Sequence, residues 1–255
     1  MDVKDTVAVI TGGASGLGEA CVRNLLSLGG KASILDFAED RGKQIAAELG
    51  DNVIFCNTDV TDEKSVQAAI DKTMDAFGAI HIAVNCAGVG TPAKVLGKEG
   101  PMSIDLFNKV VQINLIGTFN VIRLAAEQMV KNDPKEDNEK GVVINTASVA
   151  AFEGQIGQAA YSASKAGVVG MALPIAREFA AYGIRVLTIA PGIFETPMLA
   201  GLPDNVRDSL GKMVPFPPRL GKPTEFAGLV QHIIENTILN GEVIRLDGAI
   251  RMAAK

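Results

Sequence analysis

Early in the chain the sequence runs Thr6-Val7-Ala8-Val9-Ile10-Thr11-Gly12-Gly13-Ala14-Ser15-Gly16-Leu17-Gly18. Its apolar, β-branched beginning predicts a buried strand. The glycines predict a tight turn, and the leucines beyond them predict a helix. A glycine-rich turn between a strand and a helix lets backbone N–H groups approach a pyrophosphate, which the N-terminus of a helix also favours. The stretch therefore predicts the first unit of an α/β sheet with a dinucleotide site at its edge.

Six further apolar runs of strand length follow, at residues 31–35, 53–57, 80–84, 142–146, 185–190 and 242–246. Helical patterns lie between them. Strands that alternate with helices along the whole chain predict an α/β fold with one doubly wound parallel sheet of seven strands. We expect a single domain over residues 1–255. Its nucleotide-binding half covers about 1–90, and its catalytic half with a substrate lid covers about 91–255.

Composition narrows the classes of function. The chain has 255 residues, is 47% hydrophobic and carries a net charge of −5, which describes a globular protein without a nucleic-acid surface. The cysteines (Cys21, Cys56 and Cys86) are odd in number and lack zinc-ligand spacing, so we expect a reducing compartment and no disulfide framework. The two histidines lie far apart in sequence, and we expect no metal site.

The sequence also bears on location. No run reaches about 18 uninterrupted apolar residues, which predicts no membrane span. Residues 1–5 lead almost directly into the first strand and leave no room for a signal or transit peptide. We therefore expect a cytoplasmic protein, or one of the mitochondrial matrix if the source is eukaryotic. The charged segment 131–140 predicts a solvated loop.

An acidic residue, Asp36, ends the second strand. A carboxylate there accepts hydrogen bonds from ribose hydroxyls and repels a 2′-phosphate. The next residue is Phe37, and the glycine turn carries Ala14 and Ser15 rather than Arg or Lys. These features predict NAD over NADP, although Arg41 lies near enough in sequence to keep NADP open. The alternative role for Asp36 is an exposed helix cap.

The run at 142–146 leads to Ser148, and a glycine-bearing loop then leads to Tyr161-Ser162-Ala163-Ser164-Lys165. In a helix, residues 161 and 165 share one face. A free phenol has a pKa of about 10, and bringing it to about 7 takes roughly 4 kcal/mol of stabilisation of the phenolate. A fixed ammonium one turn away, helped by a positively charged cofactor, supplies such stabilisation. Ser148 would hold a substrate oxygen while Tyr161 exchanges its proton. Tyr-x-x-x-Lys is otherwise an ordinary exposed helix pair.

Ser148 followed thirteen positions later by Tyr161-x-x-x-Lys165 resembles the catalytic signature of the short-chain dehydrogenase/reductase family. The glycine turn is similar to that family's Thr-Gly-x-x-x-Gly-x-Gly variant. The resemblance covers nearly the whole chain and implies a Rossmann-type fold. It also implies that Asn114 completes a catalytic tetrad and holds a water that relays protons past Lys165. Without the resemblance, Asn114 would be interpreted as a satisfied buried amide.

The resemblance also implies a set of cofactor contacts. Asp59 and Val60 would contact the adenine ring, although Asp59 would equally cap the helix that follows Thr61. Thr196 would bind the nicotinamide carboxamide, and Glu195 departs from the smaller neutral residue usual in the family. The thiol of Cys86 is interpreted as packing. The full set is Gly12, Ser15, Gly16, Leu17, Gly18, Asp36, Asp59, Val60, Asn85, Cys86, Ala87, Gly88, Tyr161, Lys165, Phe194 and Thr196.

Two further segments bear on substrate and assembly. Residues 197–223 resemble the family's mobile lid, with apolar members at Met198, Leu199, Leu202, Met213 and Phe216. The helix predicted from Tyr161 towards residue 182, with Pro174 inside it, would pack on a second subunit in the family's usual homotetramer. Periodicity alone equally allows it to face the core of its own chain.

Within the family the sequence is most similar to the type-2 3-hydroxyacyl-CoA dehydrogenases, chiefly in residues 145–155 and 240–252. That likeness implies NAD-linked interconversion of a 3-hydroxyacyl-CoA and a 3-oxoacyl-CoA in fatty acid metabolism, with tolerance of other secondary alcohols such as hydroxysteroids. Two alternatives stay open. One is a 3-oxoacyl thioester reductase acting on acyl-carrier or acetoacetyl-CoA substrates, and the other is a non-enzymatic NAD-binding scaffold.

Overall fold

The computed structural model describes residues 1–201 and 203–254. Leu202 and the side chain of Met198, both predicted for the lid, lie outside the described part. The strands are β1 (Val7–Thr11), β2 (Lys31–Asp36), β3 (Val53–Asn57), β4 (Ile82–Asn85), β5 (Leu96–Gly97), β6 (Gly100–Pro101), β7 (Gly141–Thr146), β8 (Ile184–Pro191) and β9 (Val243–Leu246). The helices are α1 (Gly16–Ser27), α2 (Glu39–Leu49), α3 (Glu63–Phe77), α4 (Ile104–Val111), α5 (Gly117–Met129), α6 (Ala159–Phe179), α7 (Pro197–Ala200), α8 (Asp204–Lys212) and α9 (Pro223–Glu235).

Within the described residues the main sheet has seven parallel strands in the order β3-β2-β1-β4-β7-β8-β9. This order confirms the predicted doubly wound sheet, because the chain winds outward from β1 in both directions. Each predicted strand lies within two residues of the observed one. The short strands β5 and β6 form a separate antiparallel hairpin that the sequence patterns did not predict.

Two apolar layers cover the sheet. Alternate strand residues such as Ile10 and Ile144 pack with α1 and α9 on one face. On the other face, Val9 and Val143 pack with α3, α5 and α6. Because successive strand residues point to opposite faces, strands buried on both sides are apolar throughout. The two layers leave the carboxyl ends of the strands as the edge where a ligand site can form.

Two helical segments differ in detail from their predictions. The helical pattern after Ser103 forms α4 and α5, joined by a π-helical turn at Gln112–Ile116. The helix predicted from Tyr161 begins two residues earlier, at Ala159, and contains Pro174 as predicted. Within the described residues, no helix has the length and apolarity needed to cross a bilayer.

The segment 131–140 is only partly the solvated loop that its charges predict. Glu139 is 5% exposed, and its carboxylate accepts a hydrogen bond of 2.7 Å from the Arg185 side chain. Arg185 also donates to backbone carbonyls at the end of α9, including those of Ile233 and Ile234. A charge run in a sequence indicates exposure only when no buried partner exists, and Arg185, itself inside a strand, is such a partner.

Candidate active site

The glycine turn between β1 and α1 brings backbone close to backbone. Gly12 has φ of +63°, and a Cβ there would lie 2.9 Å from the amide nitrogen of Ala87. A Cβ at Gly18 would overlap the carbonyl oxygen of Gly12. Gly16 also has positive φ, +53°. The turn therefore requires glycine for steric reasons. Leu17, in the first turn of α1, packs against the core layer beneath.

The N-terminus of α1 presents its amides at this turn. Ser15 is the N-cap residue, and within the described residues its side chain makes no capping hydrogen bond. Helix N-termini of this kind favour anions, because free N–H groups and the helix dipole act together. Beside them, a Cβ at Gly16 would lie 3.5 Å from the Thr196 side chain. The structure thus brings Ser15, Gly16 and Thr196 together, as the sequence predicts.

Asp36 lies at the end of β2, beside the same turn. Its Oδ2 accepts a hydrogen bond of 3.0 Å from the amide of Ala14, and its Oδ1 accepts one of 2.9 Å from the amide of Ala38. The carboxylate therefore fixes the glycine turn and the start of α2. Since each carboxylate oxygen can accept more than one hydrogen bond, both remain able to accept from a ligand.

Asp59 does not cap α3. Its Oδ1 accepts hydrogen bonds from the amide and the hydroxyl of Thr61, at 2.9 and 2.7 Å. The N-cap of α3 is Asp62, which accepts from the amide of Lys64 at 3.0 Å. The capping alternative for Asp59 is therefore wrong, because the helix begins one residue after Asp62. The neighbouring Val60 is buried against the sheet layer.

The segment from Asn85 to Gly88 is held against the glycine turn by Thr11. The Thr11 hydroxyl accepts hydrogen bonds from the amides of Cys86 and Ala87, both at 3.1 Å. Thr11 is not among the residues predicted for the site, although a threonine at a strand end beside the glycine turn is a usable signal. Asn85 is 2% exposed and donates to the side chain of Asn145 at 2.9 Å, so contact with a ligand is left to its backbone.

Cys86 is partly buried, and its thiol lies near three polar neighbours. A hydrogen bond from Cys21 lowers the pKa of the Cys86 thiol, and the Thr146 hydroxyl and the charge of Lys165 act in the same direction. Thr146 donates to the sulfur at 3.5 Å. Burial opposes the shift. The thiol therefore belongs to a buried polar contact and not to apolar packing alone.

Ser148 and Tyr161 meet at the carboxyl end of β7. Burial raises the pKa of the Tyr161 phenol, and a hydrogen bond with Ser148 opposes that rise. Ser148 is the N-cap of a short 3₁₀ turn, and its Oγ accepts from the amide of Ala150 at 3.1 Å. Tyr161 lies in the first turn of α6. The structure thus places the two predicted hydroxyls near each other.

Lys165 lies one turn below Tyr161 with its ammonium inside the protein. Its Nζ lies 5.8 Å from the centroid of the Tyr161 ring and donates to the carbonyl of Thr146 at 2.7 Å. Burial lowers the pKa of Lys165 to about 8, although the nearby Cys86 thiol opposes that shift. Although the Lys165 ammonium lies near the Tyr161 ring, the pKa of the Tyr161 phenol is raised in the protein alone because burial outweighs the other effects. The predicted lowering of the Tyr161 pKa therefore rests on charge that the cofactor supplies.

Asn114 lies in the π-helical turn and is fully buried. Its Nδ2 donates to the carbonyl of Val89 at 2.9 Å and to the hydroxyl of Ser164 at 3.0 Å, and its Oδ1 accepts from the amide of Val89 at 2.8 Å. A Cβ at Gly88 would lie 3.1 Å from Asn114 Oδ1 and 3.5 Å from Lys165 Nζ. Asn114 is therefore a satisfied amide that lies beside Lys165, and π-turns are frequent at functional sites.

The segment after β8 closes the other side of the site. Phe194 is buried and packs edge-on against Phe226, with ring centroids 6.5 Å apart. Glu195 is exposed, and its amide donates to the carbonyl of Gly221 at 2.9 Å. A cavity of about 690 Å³ lies between α1, the lid and α9, beside Gly16 and Thr196. In the described part of the chain, no group of three or more His, Cys, Asp or Glu side chains is arranged to hold a metal ion.

The comparisons with known proteins agree with this geometry. The family model for short chain dehydrogenases matches residues 6–207. The chain belongs to the short chain dehydrogenase family. It is therefore an oxidoreductase, and the resemblance found in the sequence is confirmed.

Relatives and solved structures in this family extend over nearly the whole chain. A 3-hydroxyacyl-CoA dehydrogenase type-2 of Drosophila melanogaster is 54% identical over 252 residues, which is 98% of this chain and 99% of the relative. The crystal structure of a 3-hydroxyacyl-CoA dehydrogenase type-2 from Mycobacterium avium superposes with a TM-score of 0.93 at 42% identity, covering 98% of this chain and 97% of that one. The crystal structure of a 3-ketoacyl-(acyl-carrier-protein) reductase from Brucella melitensis, complexed with NADH, superposes with a TM-score of 0.87 at 26% identity, covering 98% of this chain and 100% of that one.

Proposed function

We propose that the protein is an NAD-dependent dehydrogenase that interconverts a 3-hydroxyacyl-CoA and a 3-oxoacyl-CoA. One observation carries the reaction type: Ser148, Tyr161 and Lys165 lie together beside the glycine turn at the carboxyl ends of the strands, with the Lys165 ammonium 5.8 Å from the centroid of the Tyr161 ring. The substrate class rests on the likeness to the type-2 3-hydroxyacyl-CoA dehydrogenases, which extends over 98% of the chain at 54% identity.

The residues at the glycine turn fit NAD. Gly12 and Gly18 leave no room for a Cβ, so the backbone reaches the surface that a pyrophosphate needs. The carboxylate of Asp36 suits ribose hydroxyls and repels the 2′-phosphate of NADP. Within the described structure, Arg41 has its guanidinium bound by Glu19, at 3.1 and 3.2 Å, which weakens the case for NADP. The remaining cofactor contacts implied by the family stay predictions.

The proposed reaction divides the work among four side chains. Bound NAD⁺ supplies the hydride acceptor. The Tyr161 phenolate takes the proton of the substrate hydroxyl, and the Ser148 hydroxyl donates a hydrogen bond to the same oxygen. Lys165 holds positive charge beneath the ring and binds ribose. Acid–base assistance of this kind contributes roughly 10²–10⁴-fold to the rate.

Asn114 supports the return of protons in this proposal. Both N–H donors of its amide are used by Val89 and Ser164, so its side chain is left with acceptor capacity at Oδ1. A water that donates to Oδ1 and receives from Lys165 satisfies this requirement. The amide also fixes the segment after Gly88 to α6, which keeps Lys165 in place.

The proposal also covers the oligomeric state of the protein and its location in the cell. We expect a homotetramer, because the surfaces of α5 and α6 expose large apolar side chains such as Phe119 and Leu173, each 45% exposed. Half-exposed apolar residues on neighbouring helices suit a helical interface between subunits. The two functional halves of the single domain, the role in fatty acid metabolism and the cytoplasmic or matrix location stay predictions.

Steady-state kinetics test the substrate and cofactor together. We expect the protein to reduce acetoacetyl-CoA with NADH and to oxidise 3-hydroxybutyryl-CoA with NAD⁺, and to prefer NAD over NADP by at least about tenfold in kcat/KM. Preference for an acyl-carrier-protein substrate would favour the reductase alternative, which the likeness to the Brucella melitensis reductase supports. Tight NAD binding without turnover on any acyl-CoA or short alcohol would contradict the enzymatic proposal.

A further inference from the structure

The segment that follows β9 runs along three parts of the candidate site. A Cβ at Gly192, next to the end of β8, would lie 2.9 Å from the Cα of Asp247. The amide of Phe216, in the lid, donates to the carbonyl of Gly248 at 3.3 Å. The amide of Ile156, in the loop between the two catalytic hydroxyls, donates to the carbonyl of Ala254 at 3.0 Å. Residues 247–254, which we call the tail, therefore connect the cofactor side, the lid and the catalytic loop.

A bidentate ion pair ties the catalytic loop to the base of the tail. The Nη1 and Nη2 atoms of Arg245 donate to the two carboxylate oxygens of Glu153, at 2.7 and 2.8 Å. The Arg245 guanidinium also lies 5.3 Å from the centroid of the Phe152 ring. Glu153 lies in the loop between Ser148 and Tyr161. Parallel N–H···O bonds of this kind fix orientation as well as distance.

Asp247 extends the ion pair into the tail. Its Oδ2 accepts from Arg245 Nε at 2.7 Å, and its Oδ1 accepts from the amide of Ala249 at 2.9 Å. Gly248 and Ala249 both have positive φ, +59° and +67°. Because an alanine rarely adopts such a conformation, Asp247 stabilises a turn that the chain would otherwise avoid. That turn directs the tail towards the lid.

The burial of these groups distinguishes them from surface ion pairs. The side chains of Arg245, Glu153 and Asp247 are 22%, 26% and 8% exposed. Arg251 adds contacts to Asp247 and Glu153 at 3.1 and 3.5 Å, but it is 58% exposed and lies at the edge of the cluster. Partly buried, bidentate pairs are less screened than exposed ones and hold their geometry better.

We propose that Glu153, Arg245 and Asp247 form a clamp of positioning residues that fixes the catalytic loop and the tail as one wall of the substrate cleft. The clamp does not touch the reacting atoms. It sets how an acyl-CoA substrate lies between the lid and the side chains of Ser148 and Tyr161. This inference rests on the proposed function for its substrate, but the structural coupling does not depend on which substrate is used.

The first test breaks the clamp by Glu153→Gln, which keeps the size of the side chain and removes its charge. We expect KM for acetoacetyl-CoA to rise roughly 10–100-fold, since small misplacements of a bound substrate are costly, while the Kd for NADH stays within about twofold. As a separate single substitution, Arg245→Lys keeps the positive charge but should also raise the KM, because an ammonium cannot form the forked pair.

The matched control is Glu48→Gln. Glu48 receives the same forked contact from Arg23, at 2.8 and 3.2 Å, but on the outer surface of α1 and α2. We expect this variant to keep the wild-type KM and NADH affinity. Thermal unfolding of each variant confirms that it is folded before kinetics are compared. A Glu153→Gln protein that loses thermal stability but keeps its KM would overturn the proposal, because that is the behaviour of a merely structural pair.

Hydrogen exchange gives a readout that does not depend on turnover. In the NADH complex of Glu153→Gln, we expect faster exchange at the amide of Ile156 and within residues 152–157 and 248–254, with no change at β1. If the wild type fails to turn over acyl-CoA but the exchange result holds, the proposed function fails and the clamp stands. Unchanged exchange in both segments would overturn the clamp whatever the substrate.

Discussion

Lys165 shows how function and stability conflict at a single residue. Its ammonium is buried, and its pKa falls from 10.5 to about 8. The folded protein therefore holds a charge at neutral pH that burial disfavours, with one hydrogen bond to the carbonyl of Thr146 as partial compensation. Positive charge beneath the Tyr161 ring is the property that the proposed chemistry needs. We interpret the cost as strain that the site retains for function.

This cost has a measurable pH dependence. The pKa of Lys165 is lower in the folded protein than in the unfolded chain, so the unfolded chain binds more protons between about pH 8 and pH 10.5. The free energy of unfolding therefore rises with pH across that window. The shift corresponds to about 3 kcal/mol of destabilisation of the folded protein, and this destabilisation is fully present below pH 8. The stability of Lys165→Met relative to wild type should therefore fall as the pH rises from 7 to 9.5, measured by urea unfolding. A difference that does not vary with pH would contradict the shift.

We predict that Asp36 determines the choice between NAD and NADP. Its two carboxylate oxygens accept from the amides of Ala14 and Ala38, and Asp36→Asn keeps a single oxygen that can accept from one of them. Removing the charge removes the repulsion of a 2′-phosphate. We therefore expect the ratio of NADP to NAD affinity to rise at least about tenfold in this variant, measured by fluorescence titration of the reduced cofactors. If the ratio is unchanged, Asp36 does not choose the cofactor.

At the scale of elements, the glycine turn shows what a sequence pattern can predict. The strand, turn and helix from β1 to α1 appear as expected, because steric exclusion at Gly12 and Gly18 leaves little choice of residue. Asn114 illustrates the opposite case. Helical periodicity carries no signal for the π-turn that contains Asn114, and the hydrogen-bond partners of its side chain, Val89 and Ser164, are distant in sequence.

The glycine turn gives a matched pair of variants. Gly18→Ala would bring a Cβ against the carbonyl of Gly12, whereas Gly228→Ala, inside α9, meets nothing within 4 Å. We expect Gly18→Ala to destabilise the protein by about 1–3 kcal/mol and to weaken NADH binding. We expect Gly228→Ala to stabilise it by about 0.5–1 kcal/mol without affecting NADH binding. Unfolding midpoints and NADH titrations check both, and equal effects would contradict the steric account.

At the scale of the whole molecule, the fold could be predicted because each strand is apolar and each turn carries its own signal. The contacts that join distant segments could not be predicted. Glu139 was interpreted as part of a solvated loop, since its neighbours are charged, but its partner Arg185 lies in another strand of the sheet. Similarly, Glu153 and Arg245 are far apart in sequence, and their pairing follows from the packing of β9 beside β8.

The buried pair of Glu139 and Arg185 therefore makes a prediction about global stability. Glu139→Gln removes the countercharge of an arginine that is 6% exposed, which costs about 3 kcal/mol or more when a buried pair is broken. Urea unfolding measures this loss. Glu48→Gln, which removes an exposed partner of Arg23, should leave the midpoint unchanged. Equal effects of the two substitutions would show that burial does not determine the strength of the pair.

The central claim is that the Tyr161 hydroxyl, beside Ser148, exchanges a proton with the substrate. The most direct measurement is the turnover of acetoacetyl-CoA with NADH by Tyr161→Phe, together with the Kd for NADH. The account predicts a loss in kcat of at least about 10²-fold with a Kd within about twofold of wild type, because the ring remains and the acid–base group is removed. A Tyr161→Phe enzyme with wild-type turnover would contradict it.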